Sequence, residues 1–123
     1  MLDHKVKELN GVMWRLEALI NARFAACYPG LQLDVDVLEA LALLPTARLN
    51  ALERQVALLQ FDPAKADYRG DGFVDSAGNP VRTVEFDTDG RLYVESRPDQ
   101  VLIRAVGSRR TEDKDIARLK RED

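Results

Sequence analysis

The sequence predicts a single α+β domain: a long N-terminal helix, a short strand, a helical hairpin, an antiparallel β-meander and a short C-terminal helix. Three observations lead there. Apolar residues recur at helical spacing through residues 2–27 and 38–59. Strand-like runs broken by Gly, Asn, Asp and Pro turns fill residues 72–106. A chain of 123 residues is long enough for one core and too short for two, so residues 1–123 form one unit, with 1–29 a helical extension and 31–121 the α+β core.

Each element has a local cause. In residues 2–27, Leu2, Val6, Leu9, Met13, Leu16 and Ile20 follow one another at steps of four and three, a heptad-like seam that Pro29-Gly30 ends. Such a stripe is either a buried helix face or a seam for a second chain. Residues 31–37 alternate apolar and polar, the period of a strand with one wet face. Asp36 with Glu39 resembles a capping box, opening a helix through Leu38, Leu41 and Leu44 that stops at Pro45. Thr46 caps the next helix, whose face is Leu49, Leu52, Val56 and Leu59 and which ends before Asp62-Pro63. Runs at 72–74, 81–86, 91–95 and 101–106 are joined by connections short enough to require antiparallel pairing. Gly107-Ser108 ends the last strand, and Thr111 caps a helix with Glu112 and Asp113 in its first turn and Lys120 and Arg121 in its last, the order its dipole favours.

Composition sets outer limits. Hydrophobic residues at 46% and charged residues at 32% describe a globular chain with a real core. The one cysteine, Cys27, excludes an internal disulfide framework and a cysteine-based zinc site, and is read as a small buried residue. A net charge of −3, from 18 basic and 21 acidic residues, argues against a broadly electropositive surface. There is no stretch apolar enough for a signal peptide or a bilayer span, so the expectation is a cytoplasmic protein with no membrane partner. No nucleotide loop, dinucleotide fingerprint or His-Glu-x-x-His pattern occurs, Asp87-x-Asp89-Gly90 suits a hairpin turn better than a calcium loop, and no cofactor or metal is expected.

From Leu31 onward the order of elements resembles the RelE/ParE toxin superfamily of bacterial toxin–antitoxin modules, over about three quarters of the chain. The Leu44-Pro45 break in the hairpin is one point of likeness. The most specific is the closing segment, where the apolar strand 101–106, Gly107, the basic pair Arg109-Arg110 and the Asp115-Ile116 helix are similar to the family's final strand and helix. The long first helix is not part of the family's minimal fold, and members are commonly more basic. The resemblance implies a toxin acting as a ribosome-associated mRNA endoribonuclease or as a DNA gyrase inhibitor, held in check by a cognate antitoxin.

RNA cleavage without a metal needs a proton acceptor, a proton donor and cations around the phosphate. His4, on a charged helix end, reads as a solvated residue. The resemblance directs attention to Arg, Lys and Tyr of the meander instead. Alternation puts Arg91, Tyr93 and Glu95 on one side of their strand and Arg104 with Leu102 and Val106 on one side of another, so the candidate catalytic set is Arg91, Tyr93, Glu95 and Arg104. Arg82, Arg109 and Arg110 are the candidate phosphate-binding residues, the last two beside a helix start. The plainer reading of the same residues is an exposed sheet face with cross-strand ion pairs. The rival function is a non-enzymatic interaction protein, such as an immunity, antitoxin or phage accessory protein, that forms a homodimer or binds a partner through the seam of residues 2–20.

Overall fold

The computed structural model describes the backbone of residues 2–121 and the side chains of residues 15–34 and 36–121. Helix α1 spans Leu2–Cys27, and β1 follows at Leu31–Leu33. Helices α2 (Val35–Leu43) and α3 (Thr46–Phe61) form the hairpin. After a single 3₁₀ turn at Pro63–Lys65 come β2 (Tyr68–Val74), β3 (Pro80–Glu85), β4 (Gly90–Arg97), β5 (Gln100–Ser108) and α4 (Glu112–Arg121). The predicted α+β order is therefore the observed one.

Some boundaries move, for identifiable reasons. The alternation in residues 31–37 sustains a strand only to Leu33, because Asp34 is the extended N-cap of α2, with φ −73° and ψ 159°. Starting the helix there carries Val37 and Leu41, four residues apart, to 1% and 0% exposure, a gain of apolar burial that continued alternation would forgo. Asp36 accordingly lies in the first turn, and Thr46 is the first residue of α3 with Pro45 as its N-cap.

The five strands lie in the order β1-β5-β4-β3-β2. β2 to β5 are an antiparallel meander, while β1 joins its far side parallel to β5, with Leu31 opposite Val101 and Leu33 opposite Ile103. The two helices of the hairpin supply the crossover that parallel strands require. One sheet face packs Val84, Leu92, Val94 and Ile103 against Val37, Leu41, Leu52, Val56 and Leu59. The other packs Val81, Tyr93 and Ala105 against Leu119, with Ile116 beside it. Thus α4 folds back over the face that a hairpin alone would leave uncovered, using the apolar pair Ile116 and Leu119 on an otherwise charged helix.

Among the described side chains of α1, those of its last turns are tied to this body. Phe24 and Tyr28 are buried in the main core, with their rings edge to face at 5.7 Å, and Ile20 packs beside them. Arg23 Nε and Nη2 donate to Glu53 of α3 at 2.5 and 2.8 Å. One turn earlier apolar side chains meet solvent: Leu16 is 39% exposed and Leu19 67%. The side chains of Leu2, Val6, Leu9 and Met13, and those of His4 and Trp14, lie outside the described residues. Cys27, read as buried from the sequence, is exposed because the inward stripe is Ile20, Phe24 and Tyr28.

Truncation should separate core from surface. Leu52→Ala, at 0% exposure, is expected to cost about 2–5 kcal/mol in urea unfolding. Leu43→Ala, at 72% exposure, should stay within about 0.5 kcal/mol of the parent.

Candidate functional site

The candidate catalytic residues gather on the sheet face under α4. Arg91, Tyr93 and Glu95 alternate along β4 as the sequence suggests, but the face is closed, with exposures of 0%, 0% and 2%. Arg91 sits opposite Glu85 of β3, and its Nε donates to Glu112 Oε1 at 3.0 Å. Its Nη1 donates to the carbonyls of Asp87, Thr88 and Gly90 at 3.3, 3.4 and 2.9 Å and lies 3.6 Å from Glu85 Oε1. A guanidinium removed from water this completely is tolerable because its donors are matched by two carboxylates and three carbonyls. Arg69 of β2 completes the group, 3.4 Å from both Glu85 and Glu112.

A second cluster surrounds Arg104. Pairing between β4 and β5 slips between Tyr93↔Ala105 and Val94↔Ile103, leaving Arg104 as the extra residue of a β-bulge. Simple alternation puts Arg104 on one side with Leu102 and Val106; Leu102 does share its side, and the bulge moves Val106 to the other. Val106 packs against the main core with Leu92 opposite it, whereas Arg104 reaches the α4 side, where its Nη1 donates to Asp75 Oδ2 at 2.5 Å and Glu95 Oε1 at 3.0 Å. Glu95 Oε2 accepts from Arg97 Nε at 2.5 Å. A cleft of about 350 Å³ opens beside this cluster, and its charges cancel, Asp75 and Glu95 against Arg97 and Arg104.

Asp75 is the member that sequence reasoning passed over, having taken it as a turn residue. It is one: its Oδ1 accepts the N–H groups of Ala77 and Asn79 at 3.0 and 2.8 Å, closing the β2–β3 turn. The other oxygen is thereby aimed at Arg104. The guanidinium and the two backbone donors hold the Asp75 carboxyl down at about 2, from an ordinary value of 3.8.

Tyr93 lies between the clusters. Burial first, and then the nearby carboxylates of Asp115 and Glu112, push its phenol well above the usual tyrosine range. A closed tyrosine that resists ionisation is a poor proton acceptor at neutral pH.

The three candidate phosphate-binding residues are not brought together. Arg82 pairs with Val94 on the hairpin side of the sheet, opposite to Arg91, Tyr93 and Glu95. It stacks 4.4 Å over the Tyr68 ring and donates to the Gly70 carbonyl at 2.8 Å. Arg109 and Arg110 are exposed in the β5–α4 turn, ahead of Glu112, Asp113 and Asp115 in the first turn of α4. That turn is fixed by Thr111, whose Oγ1 donates to Asp115 Oδ2 at 2.7 Å and accepts from Ser108 N at 3.1 Å. A Cβ at Gly107 would run into the Asp115 carboxylate, so glycine permits the close seat of α4 on β5.

Among the described residues no three His, Cys, Asp or Glu side chains converge to hold a metal ion, and no helix is long and apolar enough to cross a membrane. Comparison with protein-family models, with curated proteins and with solved structures finds no match.

The geometry gives acid stability a defined origin. Because the folded Asp75 binds its proton less readily than the unfolded chain, its contribution is complete above about pH 4 and is lost as pH falls toward about 2. Asp75→Asn should flatten the acid limb of the stability curve in that window. Arg104→Leu should return the Asp75 carboxyl toward 3.8 in an NMR titration; an unchanged midpoint would remove Arg104 as the cause.

Proposed function

We propose that this chain is a non-enzymatic interaction protein that self-associates through α1. The observation that carries this reading is the course of the apolar seam. Ile20 packs on the body, the next seam residue upstream, Leu16, is 39% exposed, and Leu19 beside it is 67% exposed. In the sequence the spacing continues through Met13, Leu9, Val6 and Leu2, on a helix of 26 residues, about 39 Å long.

The residue types favour a second copy as the occupant. In heptad terms Val6, Met13 and Ile20 hold one core position and Leu2, Leu9 and Leu16 the other. Two of the three residues at the first position are β-branched and all three at the second are leucine, the pattern that favours two parallel strands. The closed polar face supports the same reading from the other side. Arg91, Glu95 and Arg104 already hold internal ion pairs, and Tyr93 is covered by α4. A phosphodiester would have to displace α4 to meet Arg91 and Tyr93, and to break internal ion pairs to engage Glu95 and Arg104, which line the cleft beside Asp75. A protein of this kind would suit an immunity, antitoxin or phage accessory role.

Light scattering after size exclusion should give twice the chain mass at micromolar concentration. Leu9→Asp with Leu16→Asp should give the single chain mass with the circular dichroism of the body retained. A monomeric parent across that range contradicts the proposal.

The RelE/ParE-like toxin reading has its own supporting observations. They are the order of elements, and Arg109-Arg110, which is exposed at the β5–α4 turn and has no ion-pair partner among the described residues. Under that reading, induced expression in a bacterial host stops growth, with or without arrest of new protein synthesis, and Arg109→Ala with Arg110→Ala relieves it. Under the interaction reading both proteins leave growth and pulse labelling unchanged.

A further inference from the structure

Three places in the sequence set an asparagine or aspartate directly before glycine: Asn10-Gly11, Asp71-Gly72 and Asp89-Gly90. Each carries the same chemistry in reserve, because a glycine nitrogen has no neighbouring Cβ to shield it and lies within reach of the preceding side-chain carbonyl carbon. The fold treats the three differently. Gly11 lies inside α1, where a helical backbone engages the N–H group. Gly90 is buried at the start of β4, opposite Ser108, and its N–H donates to Asp87 Oδ1 at 2.5 Å. The Asp89 N–H is held by the same oxygen at 3.0 Å.

Asp71-Gly72 has none of this restraint. It sits on β2, the outermost strand of the sheet, where pairing with β3 passes from Arg69↔Thr83 directly to Phe73↔Val81. Gly70, Asp71 and Gly72 thus stand against the single residue Arg82 with no register partner of their own. The two glycines take left-handed φ values of 65° and 87° on either side of Asp71, and both Asp71 and Gly72 are exposed. Among the described residues the Asp71 carboxyl has no hydrogen-bond or ion-pair partner. A Cβ at Gly72 would lie 2.6 Å from Arg82 Cδ, so the bulge itself demands glycine after Asp71. An exposed, unpaired segment flanked by glycines opens at low free-energy cost.

We infer that Asp71 is a site of spontaneous isoaspartate formation, with water as the only other reactant. The Gly72 nitrogen bonds to Asp71 Cγ, the Cγ–OH bond breaks, and that hydroxyl leaves with the amide proton as water. Water then adds to the resulting succinimide. Opening at Cγ restores aspartate. Opening at the former peptide carbonyl leaves the chain running through the side chain, one methylene longer, with a free carboxylate on Cα. The added length falls among residues that already bulge from the ladder, so the rest of the sheet keeps its register. The site includes no residue of α1 and is independent of self-association through that helix.

The test is incubation of the full chain in heavy-oxygen water, in mildly acidic buffer at physiological temperature, followed by peptide mapping with fragmentation that distinguishes isoaspartate from aspartate. Isotope-labelled isoaspartate should accumulate at Asp71 about tenfold or more faster than at Asp89. In strong denaturant the two sites should react at similar rates, which assigns the difference to the fold. Asp87→Ala, which releases the Gly90 N–H, should raise the rate at Asp89 and leave that at Asp71 unchanged. Asp71→Glu should remove the product, because the longer side chain closes a ring far more slowly. The Leu9→Asp, Leu16→Asp variant should age as the parent does, which separates failure here from failure of self-association. Equal rates at Asp71 and Asp89 in the folded chain, or no product at Asp71, overturn the proposal.

Discussion

One extra residue in β5 governs how the two faces of this sheet are filled. Without the bulge at Arg104, strict alternation would put Ile103 and Ala105 on one face and Arg104 and Val106 on the other. With it, Ile103 and Val106 both serve the hairpin core, while Ala105 joins Tyr93 and Leu119 and Arg104 meets Asp75 and Glu95. The bulge thereby lets Val106 join Ile103 in the larger core and Ala105 join the smaller one, while Arg104, on the face opposite Ile103, meets two carboxylates.

This arrangement decides what the polar residues do. A buried ion pair contributes little net stability compared with apolar packing of the same volume, but removing one partner leaves an uncompensated charge and is costly. Arg91 with Glu112 and Glu85, and Arg104 with Asp75 and Glu95, therefore act as fasteners that commit α4 and the β2–β3 turn to one position on the sheet. Residues that suit phosphate chemistry by type are, by placement, engaged with one another. The exposed apolar surface of α1 lies elsewhere, at Leu16 and Leu19.

The fold was legible where local signals and burial agree. The stripes of α2 and α3, the Asp87-Thr88-Asp89-Gly90 turn closed by Asp87 Oδ1 onto the Asp89 and Gly90 N–H groups, and the charge order of α4 all follow from neighbouring residues. The site was legible only in part. Period-two alternation correctly aligned Arg91, Tyr93 and Glu95, and placed Arg82 apart from them once the register with Val94 is known. It could not show that Ile116 and Leu119 bring α4 down over that face, because two apolar residues on a short charged helix do not name their partner. Nor could it show the bulge, which appears only in the register between two strands. Asp75 carried a readable signal, an aspartate two residues before Ala77 and four before Asn79 in a Gly-containing turn, but its link to Arg104 spans 29 residues.

The central claim is that Arg91 and Tyr93, under α4, belong to a closed internal network and not to an open surface. Native-state amide hydrogen exchange tests it most directly. If the network is closed, the amides of Arg91, Tyr93 and Ala105 and those of the middle of α4 exchange only with global unfolding, with one common free energy and one common denaturant dependence. Exchange of α4 at a much lower free energy, independent of denaturant and accompanied by early exchange of β4, would mean that the helix opens in the native state and uncovers Arg91, Tyr93 and Glu95, contradicting the account.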